Sequence, residues 1–518
     1  MKHIISNLLL ILSVAASCSK VTTIPVPDGV SVWGGRIKDG SAMPYAPGFE
    51  ASLQDNRSNQ VAPLLLFSDG RYAWSDTPFT FRITEKAVEI LDGEVTVEKA
   101  GDNLRDAFKA ASAAHFPADG QMPPKEFYEV PQYNTWIELM YNQNQEGVLN
   151  YARGILENGL PAGIIMIDDT WQEDYGKWYF HPGRFHDPKA MCDKLHRMGF
   201  KVMLWICPFV SMDQYQICRE INSFKGFLMT PDGTDPYPVR WWNGTSAVLD
   251  LTNPKTVEWF DSELHRLMED YGVDGFKFDA ADFEYYPSDA VAHEGSVPGY
   301  EQCSRFVQLA SKYPYNELRA GWRNAGKPVV QRLHDKSHNW EDLGKLIPEM
   351  MAEALMGYSF SCPDMVGGGS FETFLKGETD TELIVRSAQI HALMPMMQFS
   401  LAPWRVLGKE EYAAVLEAVK LREKFMPLIE SLYERAATTG EPIVAPLEYC
   451  FPGEGLAGVK DEFMLGDSLL VAPMTSSGTS RTVILPQGSW KADDGSAYEG
   501  GTHTIEVPLM RLPYFEKI

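Results

Sequence analysis

A cation and two carboxylates lie close together in the segment Phe276-Lys-Phe-Asp-Ala-Ala-Asp282. Its apolar residues predict a buried strand, and the two-residue period of a strand places Lys277 and Asp279 on the same face. A lysine beside an aspartate keeps the aspartate ionised, and a held, ionised carboxylate at the C-terminal end of a strand suits a covalent nucleophile. A structural Lys–Asp ion pair inside a barrel would give the same pattern.

The chain has 518 residues and a formal net charge of −24. This length predicts two or three domains. Nucleic acid and anionic lipid would both be repelled by such a charge, so we expect neither as a partner. The composition fits an enzyme that acts on a neutral ligand.

The N-terminus has the pattern of an export signal. Lys2 and His3 precede an apolar run over residues 4–14, which is shorter than the about 20 residues of a membrane span. Ala15-Ala-Ser-Cys18 then resembles the lipobox of bacterial lipoproteins. We predict that residues 1–18 are a lipoprotein signal peptide, with Cys18 as the lipidated residue; an ordinary cleaved signal peptide is the alternative. The predicted location is the periplasm or cell surface of a Gram-negative bacterium, with membrane contact only through the lipid.

The pattern of apolar and polar residues changes twice along the chain. Short β-like runs in residues 19–125, with a hairpin candidate at 88–97, predict an N-terminal β-sandwich-like domain. Residues 126–440 alternate strands with amphipathic helices, which predicts an α/β fold, a (β/α)8 TIM barrel, over its rival, a doubly wound open sheet. Residues 441–518 predict a C-terminal antiparallel β domain. The eight predicted barrel strands are 135–138, 163–168, 201–206, 275–279, 317–319, 328–332, 358–362 and 395–399.

Carboxylates gather at the ends of these strands, where a barrel has one shared mouth. The polar residues there are Glu138, Asp168, Asp169, Asp279, Arg319, Asp335 and Asp364. Many acids with few histidines suit glycoside hydrolysis, in which one carboxylate attacks or orients water and another delivers a proton. Cysteines form no C-x-x-C and histidines no cluster, so we predict no metal, no cofactor and no disulfide framework.

Several longer motifs carry a resemblance that covers residues 126–518. They are Ile167-Asp-Asp-Thr-Trp-Gln172, Phe185-His-Asp-Pro188, Leu195-His-Arg-Met-Gly-Phe-Lys-Val-Met-Leu-Trp205, Arg240-Trp-Trp-Asn-Gly244, Asp274-Gly-Phe-Lys-Phe-Asp279, Leu333-His-Asp-Lys-Ser337 and Cys362-Pro-Asp-Met-Val-Gly-Gly368. In these motifs the chain resembles glycoside hydrolase family 31, most closely its branch of myogenesis-regulating glycosidases.

The resemblance implies a retaining mechanism on α-linked sugars. Asp279 matches the catalytic nucleophile of the family, and Asp335 matches its general acid/base. By pattern alone Asp364 is a rival proton donor, because it also ends a strand and precedes three glycines. The predicted substrate-binding residues are Asp168, Asp169, Trp205, Trp242, Lys277, Asp282, Arg319 and Asp364.

Two departures from the family pattern bear on specificity. Many members carry an Arg-x-His motif after the eighth strand, which is absent from residues 399–405 here, and we interpret the nearby His391 as structural. The N-terminal domain is also shorter than in most relatives, so we expect a loop that shapes the pocket to be missing.

The predicted function is an exo-acting α-galactosidase that hydrolyses an α-linked oligosaccharide or glycoconjugate. An axial C4 hydroxyl would lie close to Lys277 and Asp169. α-Glucosidase and α-xylosidase are the alternatives within the family. There are two alternatives of other classes. One is a glycan-binding surface lipoprotein on an inactivated barrel, which would have lost a catalytic carboxylate. The other is a metal-dependent hydrolase, which would require a histidine cluster.

Overall fold

Eight parallel strands form the central sheet of the protein. The computed structural model describes residues 21–377 and 379–518, so Cys18 and the predicted signal peptide lie outside the described residues. The barrel strands are β1 (Gln132–Asn134), β2 (Ile164–Ile167), β3 (Lys201–Ile206), β4 (Gly275–Phe278), β5 (Tyr315–Leu318), β6 (Val330–Arg332), β7 (Ser361–Cys362) and β8 (Gln398–Phe399).

The strand order around the sheet follows the chain. β1 to β7 are neighbours in sequence order and β8 pairs with β1, every pairing being parallel. Between β7 and β8 the Val366 amide donates to the Gln398 carbonyl at 2.8 Å, which brings the two ends of the sheet together. The predicted (β/α)8 barrel is therefore confirmed, with its strand ends at one mouth.

Two details of the predicted barrel are wrong. The first strand is Gln132–Asn134, and the segment predicted in its place begins a short helix, Trp136–Leu139, because the Asn134 side chain accepts from the Trp136 amide at 2.8 Å. Between β5 and β6 there is no helix among the described residues. The connection contains the strand Gly321–Trp322 instead, which pairs with the N-terminal domain.

Helices cover the outside of the barrel and connect most of its strands. The apolar faces of most of them pack against the barrel, as amphipathic helices do in this architecture, whereas the short helix Phe371–Lys376 has no buried residue and lies at the cavity. The main helices are Gln145–Glu157, Pro188–Arg197, Tyr215–Ser223, Pro254–Tyr271, Gly299–Ala310, Trp340–Leu355, Phe371–Lys376, Thr381–Ala392, Pro403–Val406 and Lys409–Thr439.

Two small sheets make up the N-terminal domain, with the helix Leu104–His115 beside them. The predicted hairpin is wrong, because Ala87–Asp92 and Thr96–Lys99 belong to different sheets. One sheet contains Thr22–Pro25, Glu50–Ser52, Thr80–Ile83 and Ala87–Asp92; the other contains Val32–Arg36, Gln60–Phe67, Arg71–Trp74, Thr96–Lys99 and Gly321–Trp322.

The C-terminal domain is one antiparallel sheet, as predicted. The barrel's last helix ends at Thr439, and Gly440 follows it in the left-handed conformation at φ 74°, which glycine adopts without strain. The sheet has its own apolar core around Trp490 and Phe515. Its strands are Val444–Ala445, Phe463–Leu465, Leu469–Val471, Ser480–Ala492, Ala497–Glu506 and Tyr514–Lys517.

Three further observations concern the described residues as a whole. None of their helices is both long enough and apolar enough to cross a bilayer. Their six cysteines, Cys192, Cys207, Cys218, Cys303, Cys362 and Cys450, are free thiols. His391 is completely buried in the helix Thr381–Ala392, which agrees with its interpretation as structural.

Candidate active site

A cavity of about 420 Å³ opens at the C-terminal ends of the barrel strands. Eight of the predicted catalytic and substrate-binding residues contribute to its lining. Asp282 and Asp364 do not, and Cys18 lies outside the described residues. The ones that do are Asp168, Asp169, Trp205, Trp242, Lys277, Asp279, Arg319 and Asp335. The barrel therefore brings together carboxylates and cations that lie far apart in the sequence.

Asp279 is held by donors on both of its carboxylate oxygens. Oδ1 accepts from the Ala280 amide at 2.8 Å and from Arg319 Nε at 2.9 Å, and Oδ2 accepts from the Trp205 indole at 3.0 Å. Burial by itself would raise the pKa of Asp279, but the Arg319 and Lys277 cations outweigh it and hold that pKa well below its usual range. Asp279 is thus an ionised carboxylate in a fixed orientation.

Arg319 connects Asp279 to the N-terminal domain. Its Nη2 donates to Asp282 Oδ2 at 2.7 Å, and its Nη1 donates to the Ser58 carbonyl at 2.8 Å. Asp282 is almost completely buried and also accepts from the Asn56 amide group at 3.1 Å. We predicted Asp282 as a sugar contact; its position behind the arginine gives it the role of orienting Arg319 instead.

Replacing Arg319 with Lys is expected to shift the pH dependence of the proposed hydrolysis. The ammonium group of a lysine is a single point charge, so it cannot replace the planar guanidinium that hydrogen-bonds to Asp279 and Asp282 at the same time. The pKa of Asp279 then rises towards its ordinary value, so the acid limb of kcat/KM moves to higher pH by about one unit or more. The measurement is kcat/KM against pH, with Arg323→Lys as the matched control, since Arg323 pairs at the surface with Asp76. An unmoved acid limb would contradict the assigned role of Arg319.

Lys277 forms its closer ion pair with Asp168, whereas the sequence suggested Asp279. Its Nζ lies 2.7 Å from Asp168 Oδ2 and 4.0 Å from Asp279 Oδ2. Burial opposes the charged form, but Asp168 outweighs it and raises the pKa of Lys277 above its ordinary value. The strand does present Lys277 and Asp279 on one face, as predicted, and the lysine links the two acids.

Asp169 ties a hairpin to the cavity wall. The hairpin strands are Pro238–Trp241 and Gly244–Val248, and Asn243 at their turn donates to Asp169 Oδ2 at 2.8 Å. The Tyr175 hydroxyl donates to the same carboxylate at 3.1 Å. Burial, followed by the neighbouring Asp168, raises the pKa of Asp169 to about 7. The hairpin also carries Trp242, whose ring lies 5.8 Å from the Arg319 guanidinium.

Asp335 and Asp364 share Arg332, yet only Asp335 reaches the cavity. Arg332 Nη1 lies 2.9 Å from Asp335 Oδ1 and 2.7 Å from Asp364 Oδ1. The Asp335 side chain is 41 % exposed, whereas that of Asp364 is 0 % exposed. Asp364 Oδ2 accepts from the amides of Lys336 and Gly369 at 2.8 and 2.9 Å.

This geometry favours Asp335 over its rival Asp364 as the proton donor. Burial raises the pKa of Asp364, which by itself would suit an acid. However, its oxygens are taken up by Arg332 and two amides, and it does not line the cavity. A general acid must come within hydrogen-bond reach of the leaving oxygen, and geometry takes precedence over pKa. Asp364, which is also a predicted substrate-binding residue, bonds instead to the backbone on either side of the cavity wall beside Asp335.

Replacing Gly369 with Ala is expected to lower activity without disturbing the backbone. An added Cβ would lie 2.9 Å from Asp335 Oδ1 and 2.7 Å from Asp364 Oδ1, so it would push both carboxylates aside. Displacement of a catalytic carboxylate in this way lowers kcat/KM by up to about 100-fold. The control is Gly344→Ala, where nothing lies within 4 Å of the new Cβ. Equal activity of the two variants would count against Asp335 as a catalytic group.

Most of the remaining lining residues belong to no motif that could have identified them in the sequence. Tyr285 packs at 6.0 Å from Trp242 on one side, and Trp136, Tyr141 and Phe371 meet edge to face at 5.2 to 5.6 Å on another. Only the position of His334 next to Asp335 was a usable signal. The unpredicted lining residues are Ser58, Trp136, Tyr141, Tyr285, His334, Ser370, Phe371 and Glu372.

The short N-terminal domain contributes directly to the wall of the cavity. Ser58 lines the cavity, and the neighbouring Asn59 bonds to the barrel at the ends of β5 and β6. Its amide group donates to the carbonyls of Arg319 and Arg332 at 3.4 and 3.3 Å. A single short loop thus supplies this wall of the cavity.

Family models match most of the chain. A model described as the glycosyl hydrolases family 31 TIM-barrel domain matches residues 120–432, and one for the glycosyl hydrolase family 31 C-terminal domain matches residues 440–517. Within the parts of the chain that the structure describes, no group of three His, Cys, Asp or Glu side chains is arranged to hold a metal ion.

Similar proteins include glycosidases from animals and bacteria. Myogenesis-regulating glycosidase from Mus musculus is 33 % identical over 411 residues, covering 77 % of this chain and 57 % of the relative. Alpha-glucosidase 2 from Bacillus thermoamyloliquefaciens is 28 % identical, covering 73 % of this chain and 51 % of the relative. The chain thus spans about half the length of these curated relatives.

Solved structures share the fold at lower identity. A Flavobacterium johnsoniae dextranase complexed with glucose superposes with a TM-score of 0.84 at 19 % identity, covering 96 % of this chain and 66 % of that chain. An alpha-xylosidase from a soil metagenome, complexed with xylose, gives a TM-score of 0.79 at 20 % identity, covering 96 % of this chain and 79 % of that chain.

Proposed function

The chain belongs to glycoside hydrolase family 31, and from this membership and the site geometry we propose that it is a retaining exo-α-glycosidase. One observation carries the proposal: Asp279 and Asp335, the two carboxylates that match the family's catalytic pair, line the same cavity. Asp279 is buried and ionised, while Asp335 is partly exposed. Two carboxylates with different environments are what double displacement requires.

In the first step Asp279 attacks the anomeric carbon. Asp279 Oδ2 is the better placed oxygen, because it accepts one hydrogen bond, at 3.0 Å, while Oδ1 accepts two. As the bond between Asp279 and carbon forms, the glycosidic bond breaks, and the leaving oxygen takes the proton of Asp335. The product of this step is a covalent glycosyl-enzyme and a free alcohol.

In the second step Asp335 acts as a base. Its carboxylate takes a proton from water, the water oxygen bonds to the anomeric carbon, and Asp279 leaves as a carboxylate. Arg319 and the Trp205 indole stabilise the negative charge that forms again on Asp279, through the hydrogen bonds that they already donate to it. Two inversions at one carbon give net retention of the α configuration.

For the sugar we propose an α-galactoside. Lys277 and Asp169 on the cavity wall offer a donor and an acceptor for an axial C4 hydroxyl. An α-glucoside and an α-xyloside are the competing substrates, since curated and structural relatives include enzymes named for them.

The test compares hydrolysis of nitrophenyl α-galactoside, α-glucoside and α-xyloside. The proposal predicts the highest kcat/KM for the galactoside, by at least about tenfold, because polar groups placed to bond an axial C4 hydroxyl are left unpaired by the equatorial C4 hydroxyl of the glucoside and the xyloside. Dominant turnover of the glucoside would reverse the sugar assignment. Binding of a glycan by calorimetry without turnover of any of the three would favour the glycan-binding lipoprotein.

A further inference from the structure

His338 closes the base of the loop that forms one wall of the cavity. The loop comprises the described residues 367–377 and 379–380, includes the short helix Phe371–Lys376, and carries Ser370, Phe371 and Glu372 into the cavity lining. One imidazole nitrogen, Nδ1, lies 2.8 Å from the Gly367 carbonyl, and the other, Nε2, accepts from the Asp380 amide at 2.9 Å. The ring therefore joins the first and last residues of the loop.

The same residue also contacts the middle of the loop. The His338 amide donates to the Thr373 hydroxyl at 3.0 Å, and the imidazole stacks on the Phe374 ring with centroids 4.5 Å apart. The two imidazole hydrogen bonds and the stacking on Phe374 together need a flat ring with one donor and one acceptor at opposite edges. Among side chains only neutral imidazole has that combination, with the proton on Nδ1.

The surroundings of His338 favour this neutral form. Burial lowers the pKa of His338, although the bond to Gly367 and the Asp380 carboxylate act against it. The Asp380 oxygens are already engaged, Oδ2 with the Trp340 indole at 2.9 Å and Oδ1 with the Leu383 amide at 3.0 Å. The carboxylate is therefore committed to capping the next helix, and the backbone amide is left for the imidazole.

The loop wall adjoins the proposed proton donor. The Ser370 amide donates to the Lys336 carbonyl at 3.0 Å, next to Asp335, and Gly369 lies against the Asp335 carboxylate. A proton donor stands at the bond to the leaving group, so the residues beside it face the aglycone. Phe371, packed edge-on against Trp136 at 5.2 Å, is therefore placed to contact an aglycone ring.

We propose that His338 is a positioning residue that fixes the loop wall for the aglycone, and that this wall takes a flat, partly apolar group such as a second pyranose or an aryl ring. The inference rests on the proposed glycosidase activity. Aromatic rings suit such a group because they offer a large, rigid contact area. The wall residue Glu372, at the cavity edge, forms an ion pair with the exposed Lys376 at 3.2 Å, and its own exposed carboxylate is accessible to a sugar hydroxyl.

The variant His338→Phe retains the ring stacking and removes both imidazole hydrogen bonds. We expect hydrogen exchange of the backbone amides in residues 367–380 to become at least about tenfold faster, since the variant loses both hydrogen bonds that hold the ends of the loop. We also expect kcat/KM to fall about tenfold for an α-galactosyl disaccharide such as melibiose and to stay within about twofold for α-galactosyl fluoride, which has no aglycone ring. His265→Phe is the control, because His265 is exposed and bonds only within its own helix.

Three outcomes would overturn the inference or its premise. Unchanged exchange in residues 367–380 would remove the positioning role of His338. Equal losses for the disaccharide and the fluoride would remove the aglycone role. A wild-type protein that hydrolyses neither compound would overturn the proposed function, while the exchange result would still decide whether His338 orders the loop. If His338→Phe fails to fold, His338→Gln replaces it; its amide can keep one of the two bonds, and effects about half as large on a logarithmic scale are expected.

Discussion

Replacing Asp279 with Asn is expected to lower kcat/KM by at least about 10⁴-fold on every α-glycoside that the protein hydrolyses. The amide has nearly the same shape as the carboxylate, but it cannot attack the anomeric carbon to form an ester. The two carboxylates that flank this site are already engaged, because Asp168 bonds to Lys277 and Asp282 lies behind Arg319. The measurement is steady-state hydrolysis of nitrophenyl α-glycosides.

The control for this variant is Asp270→Asn. Asp270 is an exposed residue near the end of the helix Pro254–Tyr271, so its loss should leave kcat/KM unchanged. Near-ultraviolet circular dichroism should be the same for both variants. Retention of more than about a hundredth of the wild-type rate by Asp279→Asn would exclude Asp279 as the nucleophile, because loss of a covalent nucleophile costs far more than that.

Replacing Asp335 with Ala is expected to give a loss that depends on the leaving group. A sugar or alkyl alcohol needs a proton as it departs, so kcat/KM for such substrates should fall about 10³-fold. A fluoride or dinitrophenyl group leaves without one, and its first step should slow less than about tenfold. Added azide should restore turnover by attacking the glycosyl-enzyme, since azide needs no general base, and the product should be the α-glycosyl azide.

The matched comparison is Asp364→Asn. This change takes one charge away from Arg332 and weakens the two amide bonds that hold the Asp335 segment, so we expect lower thermal stability. Any loss of activity should be equal for good and poor leaving groups. If the dependence on the leaving group were found in Asp364→Asn and not in Asp335→Ala, the proton donor would be Asp364.

The sequence was sufficient to predict where the site lies, because strand ends in a barrel converge. All eight strands exist, and β3 has the predicted bounds. Apolar runs of a few residues did not separate a strand from a helical turn, which is why the first strand was predicted a few residues late. Periodicity also could not reveal that Gly321–Trp322 pairs with the N-terminal domain instead of preceding a helix.

The direction of side chains just past a strand end was harder to predict. Ala280 and Asp364 follow their strands with positive φ, at 61° and 81°, a conformation that breaks the alternation of a strand. Alternation alone therefore could not predict that Asp364 turns inward or that Asp282 ends behind Arg319. The contribution of Ser58 depends on contacts between residues more than 200 positions apart in sequence, which no local pattern encodes.

The most direct measurement is trapping of the glycosyl-enzyme with a fluorinated galactosyl fluoride, followed by proteolysis and mass spectrometry of the labelled peptide. The added fluorine slows the second step, so the covalent intermediate accumulates. The account predicts one label per chain, attached to Asp279. A label on any other side chain, or hydrolysis of the reagent with inversion and no covalent adduct, would contradict it.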